Sequence, residues 1–214
     1  MFIWVLQRWI IDGRNRAAAR AAFLDEAKPL FSNGTKRIVE TGLPRMAGTY
    51  RGHVFDLQVA PDALNYRKLP ALWVLVTLTE EQPVAATVDL MMRPRGVEEF
   101  SSFSTLPVQI EPPPGFPSDC AIRTDSRAAL PDLTIMQRHA ALFSDPLHKE
   151  LIVSPKGLRL VLLAEEANRT RYLLFRDSEM GVRPIPATRL QAAMDRLIDL
   201  ADDLSQQSSL RQAV

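Results

Sequence analysis

The sequence predicts an α+β fold: an antiparallel sheet of about six or seven strands with two helices packed on it, and an amphipathic helix at the N-terminus. Three observations predict it. Apolar residues recur with period two through much of Tyr50 to Arg176, and helical periodicity follows runs of such strands instead of separating them. Met1 to Lys28 carries a helical pattern of its own. The βαβ alternation that a parallel sheet requires is missing.

Phe2, Ile3, Trp4, Val5, Leu6, Trp9, Ile10 and Ile11 crowd the N-terminal end, broken by Gln7 and Arg8. At 100° per residue, Phe2, Val5, Leu6, Trp9, Ile10, Ala17, Leu24 and Ala27 share one broad arc. Trp4 and Ile11 fall outside it, so the first turns are apolar almost all round. The run is too short for a bilayer span, which takes about 20 apolar residues. Arg14, Arg16 and Arg20 follow it, a pattern suited to a membrane surface or a partner protein. Pro29 and Ser32-Asn33-Gly34 end the helix. The expected division is an N-terminal helix over 1–31, a linker over 32–48, one α+β domain over 49–205 and a frayed tail over 206–214.

In the domain, His53, Phe55, Leu57 and Val59 share one face of a half-buried strand. Leu72 to Thr79 is a short β-branched and aromatic run that suits a central strand. Val84 to Met92 alternates again. Prolines at 107, 112, 113, 114 and 117 make 97–117 an excursion with an edge segment. Asp119 to Thr124 is a short strand. Leu133, Met136, Ala140 and Phe143 form a helix that Pro146 stops. Lys149 to Val153, the turn Ser154-Pro155-Lys156-Gly157 and Leu158 to Glu166 spell a hairpin. A further strand is expected over Arg171 to Arg176. The last helix opens on a Thr188…Gln191 capping box and buries Leu190, Met194, Leu197, Ala201 and Leu204.

A net charge of +1 over 214 residues argues against a dedicated nucleic-acid binder. The charge is uneven, however: up to Gly52 there are nine basic residues against four acidic ones, an excess that favours an anionic surface. Cys120, the single cysteine, excludes an internal disulfide and fits a reducing, cytoplasmic compartment. The apolar stretch precedes the basic residues, the reverse of an export signal. The arginine-to-lysine ratio of 21 to 5 resembles a bacterial coding bias.

No glycine-rich phosphate loop, nucleophile elbow or metal-ligand spacing occurs, and neither a catalytic residue, a metal nor a cofactor is expected. His139, His148 and Asp145 lack a motif spacing. Asp195, Asp199 and Asp203 repeat at i, i+4 on the last helix as a solvated face. The residues expected to dock on a membrane or partner are Phe2, Ile3, Trp4, Leu6, Trp9, Ile10, Arg14, Arg16 and Arg20. A second expectation places an anionic ligand at an arginine-lined sheet edge formed by Arg67, Arg93, Arg95 and Arg123, with His53 as acid or base. The functional expectation is a non-enzymatic bacterial binding or scaffold domain docked through its N-terminal helix at the inner face of the membrane or in a complex. Self-association through that helix and an enzyme acting on an anionic substrate are the alternatives.

Overall fold

The computed structural model describes residues 2–62, 69–94, 96–167, 169–170, 172 and 180–212, with side chains at 2–7 and 211–212 left aside. Its described strands are β1 (Ser32–Ile38), β2 (Pro44–Tyr50), β3 (His53–Asp62), β4 (Ala71–Leu78), β5 (Val88–Met92), β6 (Val108–Ile110), β7 (Cys120–Thr124), β8 (His148–Ser154) and β9 (Gly157–Glu166). All join one antiparallel sheet of nine strands in the order β1-β2-β3-β4-β9-β8-β5-β7-β6. The β8–β9 hairpin therefore sits between β4 and β5. The described helices include α1 (Phe2–Ala21), α2 (Leu133–His139) and α3 (Ala187–Gln212), with 3₁₀ turns at Asp25–Leu30, Phe103–Thr105 and Ala140–Ser144.

The α+β class agrees with the sequence; the strand count does not, nine replacing six or seven. Residues 32–48 are no linker, because β1 and most of β2 lie there. They escape the period-two pattern for a physical reason: β1 is an edge strand whose seven residues are all exposed, so no core selects its side chains. Lys36 and Arg37, with a register shift between Ser32 and Thr35, guard that edge against further pairing. Gly48 in β2 lets the chain pass Phe31 closely, since a Cβ there would lie 2.9 Å from Phe31 Cβ. The strand expected at Arg171 to Arg176 finds Tyr172 in helical conformation; Arg171 and 173–176 lie outside the described residues.

One sheet face carries the main core. Leu57 and Val59 of β3, Val74 and Val76 of β4, Leu160 of β9, Leu151 of β8 and Leu90 of β5 pack with Leu190, Met194, Leu197 and Leu204 of α3 and with Phe23 and Leu24. The expected stripe of the last helix is thus its buried face. Its capping box is not used: the helix begins at Ala187, whose N–H donates to Glu26 Oε2 at 3.4 Å. The expected frayed tail is helical through Gln212, held in part by Gln207, whose amide donates to Asp132. Asp132 in turn caps α2 by accepting from the Thr134 N–H.

The β8–β9 hairpin turns through Pro155 and Lys156. Gly157 closes it at φ 148°, and a Cβ there would collide with the carbonyl oxygen of Leu78. Only glycine meets both demands.

Candidate functional site

Two places in the molecule break the ordinary sorting of polar and apolar groups. The first is α1. Residues 8–18 are all exposed, and Trp9, Ile10 and Ile11 are 75%, 50% and 55% accessible. Its attachment lies at the C-terminal end. Lys36 Nζ donates to the Ala21 carbonyl at 3.0 Å and to Asp25 at 2.6 Å, capping the helix with a cation where its dipole is negative. Phe23 and Leu24, next along the chain, are fully buried. Arg14 and Arg16 are exposed. Arg20 differs from them, because its Nη2 donates to the Thr41 carbonyl at 3.3 Å and ties the helix base to the β1–β2 turn. Phe2, Ile3, Trp4 and Leu6 are helical in backbone, and their side chains lie outside the described residues.

The second place is the sheet face turned away from α3. Alternation puts Thr77, Arg159, Ile152, Asp89 and Arg123 in one row across β4, β9, β8, β5 and β7, and Leu75, Val161, Glu150 and Met91 in the next. Residues 96–107 cross this face as a strap. Phe100 of the strap packs on Trp73 with ring centroids 4.6 Å apart. Arg123 donates to the carbonyls of Ser104 and Leu106 and stands 5.6 Å from the Phe103 ring centre. A register shift between His148 and Glu150 frees Lys149 to reach along the strap. Its ammonium pairs with Glu98 at 3.2 Å and donates to the carbonyls of Met92 and Arg93 at 2.8 Å each.

Beneath the strap Asp89 and Glu150 are both 0% exposed. They are diagonal neighbours on adjacent strands, since Asp89 faces Ile152, and their side chains meet over that diagonal. Glu150 Oε1 accepts from the Ser101 hydroxyl. Glu150 Oε2 and both Asp89 oxygens have no donor among the described residues. The bond left to them is to each other, which requires that one carboxyl keep its proton. Burial, then the adjacent Glu150 charge, pushes Asp89 up to about 10. Burial also raises Glu150, opposed by its bonds to Ser101 and Asp89 and by the charges of Arg159 and Lys149. Three carboxyls (Asp89, Glu98, Glu150) thus share the enclosure with two cations (Lys149, Arg159), and one retained proton makes it neutral. Such a pair is capable of acid–base chemistry, but with no exposed atom it meets no substrate. It is a fastening between sheet and strap.

Of the expected arginine edge, the described members His53 and Arg123 stand apart. His53 Nδ1 lies 2.9 Å from Glu80, whose other oxygen holds the Val54 N–H. It belongs to β3, five strand positions from β7 and Arg123, a separation of roughly 24 Å at about 4.8 Å per strand. Arg93 is spent on the carbonyls of Pro146 and His148 and on Asp119. Arg67 and Arg95 lie outside the described residues. Cys120 is buried, and desolvation, followed by the charges of Asp119 and Asp89, pushes its thiol up to about 12, so no thiolate is on offer. His139 is engaged by Asp203 at 2.9 Å, and Asp195 accepts from Tyr50 and Arg51. Two members of the acidic ladder on α3 therefore tie that helix to its neighbours instead of facing solvent alone.

No protein-family model matches the chain, and no curated relative does. Among solved structures it is similar to the mycobacterial trehalose monomycolate transport factor A at 10% identity and a TM-score of 0.35, over 80% of this chain and 98% of that one. A likeness of that degree carries no argument about this chain.

The sequence holds a signal for the buried pair that periodicity alone does not raise. Leu75, Ile152, Val161 and Met91 make the second face of the central strands apolar too. Strands apolar on both faces are covered on both, so a mid-strand Asp89 or Glu150 must be buried.

Proposed function

We propose that this chain is a non-enzymatic binding domain held on the inner face of an anionic membrane by α1. The observation that carries the reading is the exposure all round that helix. Trp9, Ile10 and Ile11 are consecutive and exposed, so they spread over about 200° of its circumference at 3.6 residues per turn. A flat protein surface covers one stripe of a helix. Lipid covers every side.

The dimensions support the same occupant. Phe2 to Ile11 as helix is about 15 Å long, half of a hydrocarbon core of about 30 Å. The apolar segment thus suits one leaflet, with Arg14 and Arg16 at the depth of the phosphates, where each cation contributes about 1 kcal/mol on an anionic surface. Among the described residues no helix is long and apolar enough to cross a membrane. Docking by shallow insertion makes no such demand.

Co-sedimentation with phosphatidylcholine vesicles, with and without phosphatidylglycerol, tests the proposal. Point variants are needed, because a truncation near Gly42 would remove β1 along with the helix. The intact chain is expected in the pellet with anionic vesicles, and Trp9→Glu/Ile10→Glu and Arg14→Glu/Arg16→Glu in the supernatant. An intact chain that ignores vesicles yet loses half its mass in light scattering on Trp9→Glu would replace this reading with self-association.

A further inference from the structure

We infer that the pocket between α3 and the start of β8 is a binding site for a single phosphoryl group. The pocket has a volume of about 360 Å³, at the lower end of the range of roughly 300–1,000 Å³ for small-ligand sites. Arg189, Ala192 and Arg196 follow one another at helical spacings of three and four, so α3 presents two guanidinium groups to the pocket with only a methyl between them.

The donors are positioned and largely unspent. Arg189 Nη2 donates to the Leu163 carbonyl at 2.8 Å, which holds the group in place and leaves its other N–H groups available. Arg196 has no hydrogen bond or ion pair among the described residues. Thr188 lies within the first turn of α3, which begins at Ala187, and it lines the pocket beside Arg189. His148 Nδ1 contacts the Leu142 carbonyl. A carbonyl only accepts, so Nδ1 carries the hydrogen and Nε2 is the nitrogen left for a ligand. Asp145 lies 4.0 Å from that Nε2 and is 49% exposed, where water and salt screen its charge.

Two guanidinium forks and a hydroxyl supply donors from separate directions. That array matches the several oxygens of a tetrahedral phosphoryl group better than the two of a carboxylate. Leu142 and Leu162 at the pocket wall suit the carbon part of a monoester. The phosphoryl group has two sources, a soluble monoester and a lipid headgroup.

An NMR titration of the intact chain with inorganic phosphate and with methyl phosphate tests the site. Saturable shifts centred on Thr188, Ala192 and His148 are expected, weakened about tenfold or more by Arg196→Ala and abolished by Ala192→Glu. Arg196 is exposed and unpaired, so its variant keeps the fold even if an Arg189 variant does not. Vesicles containing phosphatidic acid, mixed with a chain that carries Trp9→Glu/Ile10→Glu so that α1 does not dock, form the second arm. Binding there alone, lost in Ala192→Glu, assigns the headgroup, whereas binding in solution assigns the free monoester. Affinity unchanged in both variants, unsaturable shifts scattered over all basic residues, or no binding in either arm overturns the inference. Neither variant touches α1, so this result and that for membrane docking are separable.

Discussion

At one end of this chain a helix holds Trp9, Ile10 and Ile11 in water; in the middle, a strap shuts Asp89, Glu98, Glu150 and Lys149 away from it. Both arrangements cost free energy, and they differ in what offsets the cost. The enclosed groups find their partners inside the molecule, down to one proton shared between two carboxyls. Trp9, Ile10 and Ile11 stay exposed, while the hydrogen bonds of Arg20 and of the Ala21 carbonyl tie the base of that helix to the folded body. An internal compensation reads as structure. Its absence points outward.

Substitutions in the enclosure are expected to move stability, and substitutions on α1 are not. The largest effect is expected from Glu98→Ala, which leaves the buried Lys149 ammonium without its carboxylate. Loss of one partner of a buried pair costs about 3–5 kcal/mol, to be read as a fall in urea midpoint. A change below about 1 kcal/mol would mean that the strap is not fastened there.

The proton gives a sharper test. Asp89 titrates at 3.8 when unfolded and is pushed up to about 10 in the fold. Between those limits the folded chain binds one more proton than the unfolded one, so its contribution is fully present below about pH 4 and declines as pH rises toward 10. The slope for one proton is about 1.4 kcal/mol per pH unit. Asp89→Asn replaces the proton with a permanent amide donor to Glu150. Urea unfolding at several pH values is expected to show the variant gaining on the parent as pH rises, and parallel curves would exclude a shared proton.

Ser101→Ala is expected to cost less, about 1–3 kcal/mol, by leaving Glu150 Oε1 without its donor. Trp9→Ser and Ile10→Ser stand at the other extreme. Exposed positions away from any packing change stability by no more than about 0.5 kcal/mol, and thermal unfolding checks this. Destabilisation beyond that would mean α1 packs on its own body in solution and would erase the contrast.

How much of this the sequence reveals depends on whether a core acts on the residues in question. In β4, Leu72, Val74, Val76 and Leu78 face the main core and Leu75 the strapped face, so the unbroken apolar run is legible. The Pro155-Lys156 turn closed by Gly157 is legible because backbone geometry admits few residues there. β1 lies at an edge with every residue exposed, and Ser32-Asn33-Gly34 resembles a loop as closely as a strand. The buried carboxyls are hidden for another reason. Alternation by itself places Asp89 and Glu150 on the second face of their strands, and only the apolar neighbours Leu75, Met91, Ile152 and Val161 on that face show that something covers it. The apolar stretch of α1 shows in the residue types alone, although the role of Arg20 as a base tether needs its contact with Thr41.

The claim that α1 enters lipid is tested most directly by the fluorescence of Trp9 in a Trp4→Phe/Trp73→Phe chain mixed with vesicles of brominated phosphatidylglycerol. Insertion predicts a blue-shifted emission that bromine on the acyl chains quenches, with both effects lost when phosphatidylcholine replaces the anionic lipid. Emission that stays at the wavelength of a water-exposed indole and is untouched by bromine, at protein and lipid concentrations where the body is folded, would contradict it.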